Sequence, residues 1–195
     1  MLAERLVSIG DQFYRGTTAD AKGFAGLLSL YDSTNCEVSA TGSSGSACSA
    51  WLVYNNPKGV HWVWGNGGGL DMGTWERTRI ADAAGKPYYA YCNNLTGYIG
   101  LGFGHSRSAI RIKLITTASG KNLSDALVMQ ALNKAPAHMK ADRRNWRLFA
   151  NSTALYTLQL SRVPTVGDTE VGFPTEPTVS CGVKIIETDS LPQTE

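Results

Sequence analysis

Apolar positions along the chain fall into short runs broken by glycine, asparagine and proline, a pattern that predicts strands more than helices. Ala50-Trp51-Leu52-Val53-Tyr54 reads as a strand, Asn55 to Gly59 as a turn, and Val60-His61-Trp62-Val63-Trp64 as a second strand. Further on, Trp75, Arg77 and Arg79 alternate with Glu76 and Thr78, which suits an exposed strand lying on a partner. Tyr88-Tyr89-Ala90-Tyr91 and the segment Tyr98 to Phe103 continue the strand-like stretch. Between Ala109 and Ile115, the side chains of Ile110, Ile112 and Leu114 share one face and those of Arg111 and Lys113 the other, as in a half-buried strand. Trp146 to Phe149 and Val183 to Ile186 predict two more.

Helical spacing is clearest from about Leu123 to Ala135, where Leu123, Leu127 and Ala131 form a stripe that Val128 and Leu132 widen. Asn122 can cap this helix, Asp125 suits its first turn, and Pro136 stops it. A second short helix is predicted from about Thr153 to Leu160, with Ser152 as its cap. Residues 1–35 read as an irregular arm and residues 40–48, rich in Gly and Ser, as a flexible loop. There is no internal repeat and no heptad pattern.

Composition narrows the function classes. The chain is 43% hydrophobic and only 17% charged, leaving more neutral surface than average, as where protein meets protein. A formal net charge of +2 is too small to imply nucleic-acid or membrane binding by itself. No run approaches the roughly 18 apolar residues of a membrane span. The N-terminus lacks a signal peptide's basic start and long apolar middle, so the expected setting is a cytosol. Cys36, Cys48, Cys92 and Cys181 are scattered, without C-x-x-C pairs or histidines at ligand spacing, and read as free thiols. Asn94, Asn122 and Asn151 begin glycosylation-type triplets that carry no meaning in a cytosolic product.

Three arrangements invite a chemical reading and do not sustain it. Gly65-Asn66-Gly67-Gly68-Gly69 resembles a phosphate loop, but Leu70 stands where a third glycine is needed and no helical period follows. Gly104-His105-Ser106-Arg107-Ser108 resembles a nucleophile elbow, yet it lacks the second glycine and sets histidine and serine side by side. His61, His105 and His138 share no metal-ligand spacing with one another or with carboxylates. The expectation is therefore no enzyme: no catalytic residue, no metal and no cofactor. The strongest charge feature is the basic stretch Lys140, Arg143, Arg144 and Arg147. It reads as a solvated loop, as salt bridges to a neighbouring subunit, or as contact with DNA phosphates.

Taken in order, these segments resemble the major capsid proteins of short-tailed bacteriophages, which have the Hong Kong 97-like capsid fold. The resemblance is carried by Ala50 to Val53, Gly59 to Trp64 and the glycine run to Leu70, then by Ile80 to Tyr88, Ile99 to Leu101 and Ala109 to Ile112. It continues through the helix at 123–135, Asn145 to Phe149, Leu158 to Arg162 and the closing Cys181 to Leu191. It covers roughly residues 45–191, and order and spacing carry it more than any single motif.

The resemblance implies an α+β fold with an N-terminal arm, an extended β-hairpin (the E-loop), a spine helix in a peripheral domain, and a reduced axial domain. The boundaries it suggests are 1–45 for arm and flexible loop, and 46–121 for a β-rich region with the E-loop at about 60–100. They continue with 122–144 for the spine helix and basic loop, and 145–195 for the axial portion and closing strand. It implies pentamers and hexamers that close into an icosahedral shell around phage DNA, with Trp62, Trp64, Trp75, Glu76, Arg77 and Arg79 as inter-subunit contacts. The implied partners are further copies of the chain, scaffolding, portal and decoration proteins, and packaged double-stranded DNA through non-specific contacts, with no membrane. The implied location is the virion, after assembly in the bacterial host cytoplasm. Members of that family are usually longer, so the chain reads as a shortened or partial copy. The competing expectation is a decoration or tail-associated β module with an aromatic binding surface.

Overall fold

Seven consecutive residues, Cys48–Tyr54, are all buried, although their side chains must point alternately to two sides. Such a strand needs a covering layer on each face, and the computed structural model supplies both. It describes residues 2–65, 69–162 and 176–194. The helices are α1 (Leu2–Arg15), α2 (Leu27–Leu30), α3 (Asp125–Lys134), α4 (Ala137–Lys140) and α5 (Ser152–Ser161). The strands begin with β1 (Glu37–Ser39), β2 (Cys48–Tyr54), β3 (Val60–Trp64), β4 (Leu70–Met72), β5 (Glu76–Ala81) and β6 (Pro87–Cys92). They continue with β7 (Leu95–Gly97), β8 (Ile99–Phe103), β9 (Ala109–Ile115), β10 (Trp146–Ala150), β11 (Val179–Ser180) and β12 (Val183–Glu187).

The chain divides into two units, one of Met1–His61 with Leu101–Glu195, the other of Trp62–Gly100. The first holds a six-stranded mixed sheet in the order β1-β9-β2-β10-β12-β11. β1 with β9 and β10 with β12 are parallel; β2 is antiparallel to both β9 and β10. On one face Cys48, Ala50, Leu52 and Tyr54 join a core with Val128, Ala131 and Leu132 of α3 and Ala154, Leu155 and Leu158 of α5. On the other, Trp51 and Val53 pack with Tyr14 of α1, Leu27 of α2, Val60, Ala109 and Leu191. Each fully buried large side chain contributes about 1.5–3 kcal/mol.

Several local expectations shift by a few residues, each for a long-range reason. The cap of α3 is Ser124, whose side chain accepts from the Leu127 N–H, and not Asn122. Leu123 is buried ahead of the helix and its N–H donates to Thr157 Oγ1 at 3.2 Å, while Asn122 Nδ2 reaches the Thr157 carbonyl at 3.5 Å. α5 is capped by Asn151, not Ser152: its Oδ1 accepts from Ala154 N–H at 2.9 Å and its Nδ2 donates to the Pro192 carbonyl at 2.8 Å. In β9, Ile115 replaces Leu114 as the buried residue, because Leu114 has a positive φ of 59° beside an irregularity in the β2 ladder. Residues 1–35 are not irregular throughout, since α1 occupies fourteen of them. In the segment 40–48, Ala40, Ala47 and Cys48 are buried.

Asp125 joins three elements of this unit. Arg162 grips it with two bonds (Nε to Oδ2 at 2.9 Å, Nη2 to Oδ1 at 2.7 Å), and the buried Ser180 hydroxyl donates to Oδ1 at 2.5 Å. Arg162 also donates to the Val179 carbonyl at 2.9 Å, so one guanidinium ties α3 to the end of α5 and to β11. The Arg162 hydrogen bond, with that of Ser180, holds the Asp125 carboxyl below its ordinary range. A depressed carboxylate contributes stability above its unfolded pKa of about 3.9 and loses it as pH falls through the folded value. Because the pair is partly exposed, Asp125→Asn is expected to cost only about 1 kcal/mol at pH 7. That cost should shrink progressively as pH falls below about 3.9 in urea titrations of both proteins; a difference that does not diminish with acid would assign the effect to packing.

Candidate assembly surface

The unit Trp62–Gly100 is built from backbone pairs, with little buried surface of its own. β4 pairs antiparallel with β7, and β5 with β6, in the registers Arg77↔Tyr91 and Arg79↔Tyr89. The turn that sets this register is local. Asp82 Oδ1 accepts from the N–H groups of Ala84 (2.9 Å) and Lys86 (2.8 Å), Gly85 N–H donates to the Asp82 carbonyl (2.9 Å), and Gly85 takes a φ of 77°. Glycine alone adopts that conformation without strain.

Both faces of the ribbon are exposed along nearly its whole length. Directly paired residues of antiparallel strands share a face, so Arg77, Arg79, Tyr89 and Tyr91 lie together and Glu76, Thr78, Ile80 and Tyr88 lie opposite. The Arg77 guanidinium sits 4.4 Å from the centre of the Tyr89 ring, a cation–π contact. Tyr89 is 64% exposed and Tyr91 72%. Trp62, Trp64, Met72 and Trp75 are exposed as well, and Val63, Trp64, Tyr98 and Ile99 line a shallow groove with three glycines. This many large aromatics exposed within one unit suit an interaction surface, and Trp, Tyr and Arg are the residues that dominate interface energetics.

Of the six contact candidates named from sequence, all are exposed. Glu76 lies on the other face of the ribbon from Arg77 and Arg79. Tyr89 and Tyr91, exposed beside the two arginines, were not among those candidates. The turn at Asp82–Lys86, once recognised, would have aligned them with the two arginines.

The basic stretch is largely engaged within its own unit. Lys140 Nζ donates to the Asn133 carbonyl at 3.1 Å, near the end of α3. Arg143 Nη1 donates to the Cys181 carbonyl at 2.6 Å, and Arg147 Nη1 to the carbonyls of Trp146 (2.8 Å) and Arg144. Bonds to neutral carbonyls leave these charges uncompensated, and Arg144 makes no ion pair among the described residues.

The other sequence candidates have structural surroundings. His105 Nδ1 accepts from the Arg107 N–H at 3.0 Å, and Ser108 Oγ donates to the His105 carbonyl at 2.6 Å, so the elbow-like segment is a closed turn between β8 and β9. The His61 ring lies over Gly102, where a Cβ would come within 2.4 Å of Nε2. Of the glycine cluster, residues 66–68 lie outside the described residues. All four cysteines are free thiols, Cys36 and Cys48 buried. Among the described residues, no group of three His, Cys, Asp or Glu side chains could hold a metal ion, and no helix is long and apolar enough to cross a membrane.

Comparison with known proteins gives two matches. A family model described as Major capsid protein GP7 matches residues 9–195. A chain in the structure of bacteriophage Epsilon15, derived from cryo-EM and modelling, superposes with a TM-score of 0.56 at 16% sequence identity. That match covers 96% of this chain and 61% of the Epsilon15 chain, so this chain spans less than two thirds of its length. Among curated proteins, none matches significantly.

Proposed function

The chain belongs to the Major capsid protein GP7 family and has the Hong Kong 97-like fold, and on that premise we propose that it is a structural subunit that binds copies of itself in a phage shell. The observation that carries this reading is the ribbon Trp62–Gly100, a separate unit whose aromatic side chains stay exposed on both faces. A lone ribbon of that kind is an aggregation hazard, and burial against a neighbouring subunit removes it.

In this reading the ribbon is the E-loop and α3 the spine helix. The axial portion in this reading, residues 145–195, contributes β10, β11 and β12 to the same sheet as β2 and β9. Pentamers and hexamers of the subunit would enclose double-stranded DNA in the virion, after assembly in the host cytoplasm. Scaffolding, portal and decoration proteins would be its other partners. The role requires no catalytic residue or cofactor. Lys140, Arg143, Arg144 and Arg147 would face DNA phosphates or a neighbouring subunit, with Arg144 the most available.

Negative-stain electron microscopy with light scattering, on the purified chain at high concentration, tests the reading. Rings of five or six subunits, or closed shells, are expected. A monomer at every concentration, with residues 62–100 resistant to protease, would overturn it in favour of a decoration or tail-associated β module.

A further inference from the structure

The two faces of the β5·β6 ribbon differ in chemistry, and this difference selects a partner surface. One face presents two guanidinium groups, Arg77 and Arg79, beside Tyr89 and Tyr91; the opposite face presents Glu76, Thr78, Ile80 and Tyr88. Neither arginine makes an ion pair among the described residues. The unit as a whole is balanced, with Asp71, Glu76 and Asp82 against Arg77, Arg79 and Lys86. A balanced ribbon has no long-range attraction for a polyanion such as DNA. Two arginines on alternate positions of one strand, about 7 Å apart, instead match a local pair of carboxylates, which Arg binds with directional, charge-assisted bonds.

Among the described residues, the main unit offers one such pair. Most of its described carboxylates are engaged within the chain: Asp11 with Arg15, Asp32 with Arg107, Glu37 with Lys113, Asp125 with Arg162, and Asp142 with Tyr54 and Asn145. Asp20 accepts from the Lys22 N–H, and Glu176 stands alone. Glu187, at the end of β12, and Asp189, in the turn just after it, are separated by one residue and exposed, and their carboxylates make no hydrogen bond or ion pair among the described residues.

We infer that the Arg77/Arg79/Tyr89/Tyr91 face of one copy docks on Glu187 and Asp189 of a second copy, in a head-to-tail contact. The inference rests on the assembly reading above and names the contact through which assembly proceeds. Different surfaces on the two sides make the contact heterologous, the kind that closes into rings. Glu76 and Thr78, on the opposite face, lie outside it.

Charge reversal tests this, with self-association followed by sedimentation velocity and light scattering, and folding by circular dichroism. The variant R77E/R79E sets like charges against Glu187 and Asp189, and E187R/D189R does so in the other sense. Each alone is expected to raise the concentration needed for self-association by at least about a hundredfold while remaining folded. The two mixed together complement, since each variant's ribbon then meets the opposite charge on the other, and assembly returns. Complementation in the mixture requires contact between copies; a contact within one chain would be rescued only by combining all four changes in that chain.

Assembly by both reversed variants at wild-type concentrations would overturn the inference and leave the capsid reading intact. Failure of the mixture to recover would do the same. A wild-type chain that never associates, under the conditions of the microscopy above and with residues 62–100 resistant to protease, would remove both.

Discussion

Trp146→Ala is expected to lower the free energy of unfolding by about 3–5 kcal/mol, enough to leave a domain of ordinary stability barely folded. Trp146 is completely buried at the start of β10, opposite Tyr54 of β2, with the two ring centres 5.3 Å apart. Its indole N–H donates to the Met139 carbonyl at 2.9 Å. Truncation therefore removes the ring, leaves a cavity between β2, β10 and α4, and takes from the Met139 carbonyl the shorter of its bonds, leaving that from the Asp142 N–H at 3.2 Å. Trp146→Phe retains most of the volume but not the donor, and should fall between the two. Trp75→Ala, at a residue 64% exposed, should stay within about 0.5 kcal/mol of the wild type. Urea denaturation of the three variants makes the comparison, and equal losses at Trp146 and Trp75 would contradict the arrangement of the core.

Removing the ribbon is expected to have the opposite profile, sparing stability and abolishing association. Residues 62–101 can be replaced by Asn-Gly between His61 and Gly102, a two-residue connection that suits an antiparallel pair. The main unit keeps its six-stranded sheet and both cores, losing only the half-buried Leu101 from one of them. Its melting temperature should stay within a few degrees of the full chain's. Its sedimentation coefficient should be that of a monomer at every concentration. A shortened chain that still forms rings would place the assembly surface on the main unit instead.

Much of the fold was legible in the sequence because local pattern and final burial agree. β2, β3, β9, β10 and β12 stand where the apolar runs predict strands, and α3 and α5 where the helical stripes predict helices. What was not legible depends on partners far along the chain. Thr157, 34 residues away, takes the Leu123 N–H and moves the cap of α3 to Ser124. Pro192, 41 residues away, holds Asn151 in place as the cap of α5.

α1 escaped notice because Gly10 and Gly16 punctuate a stretch whose apolar residues Leu2, Leu6, Ile9 and Phe13 do keep helical spacing. The exposed tryptophans and arginines of the ribbon could be named from alternation alone. Their division between two faces could not, since it follows from the cross-strand register. The bonds from Lys140, Arg143 and Arg147 to backbone carbonyls were likewise invisible, because a run of positive charge reads as solvated until the carbonyls beside it are known.

The ribbon is inserted between β2 and β9, which are themselves hydrogen-bonded neighbours in the middle of the sheet. Its length and sequence can therefore drift without displacing a single core residue, provided the connections at its two ends persist. On the assembly reading proposed above, a lineage carrying this fold can retune how its subunits meet while the interior that folds them stays constant, so the proposed contact surface and the core answer to separate selection.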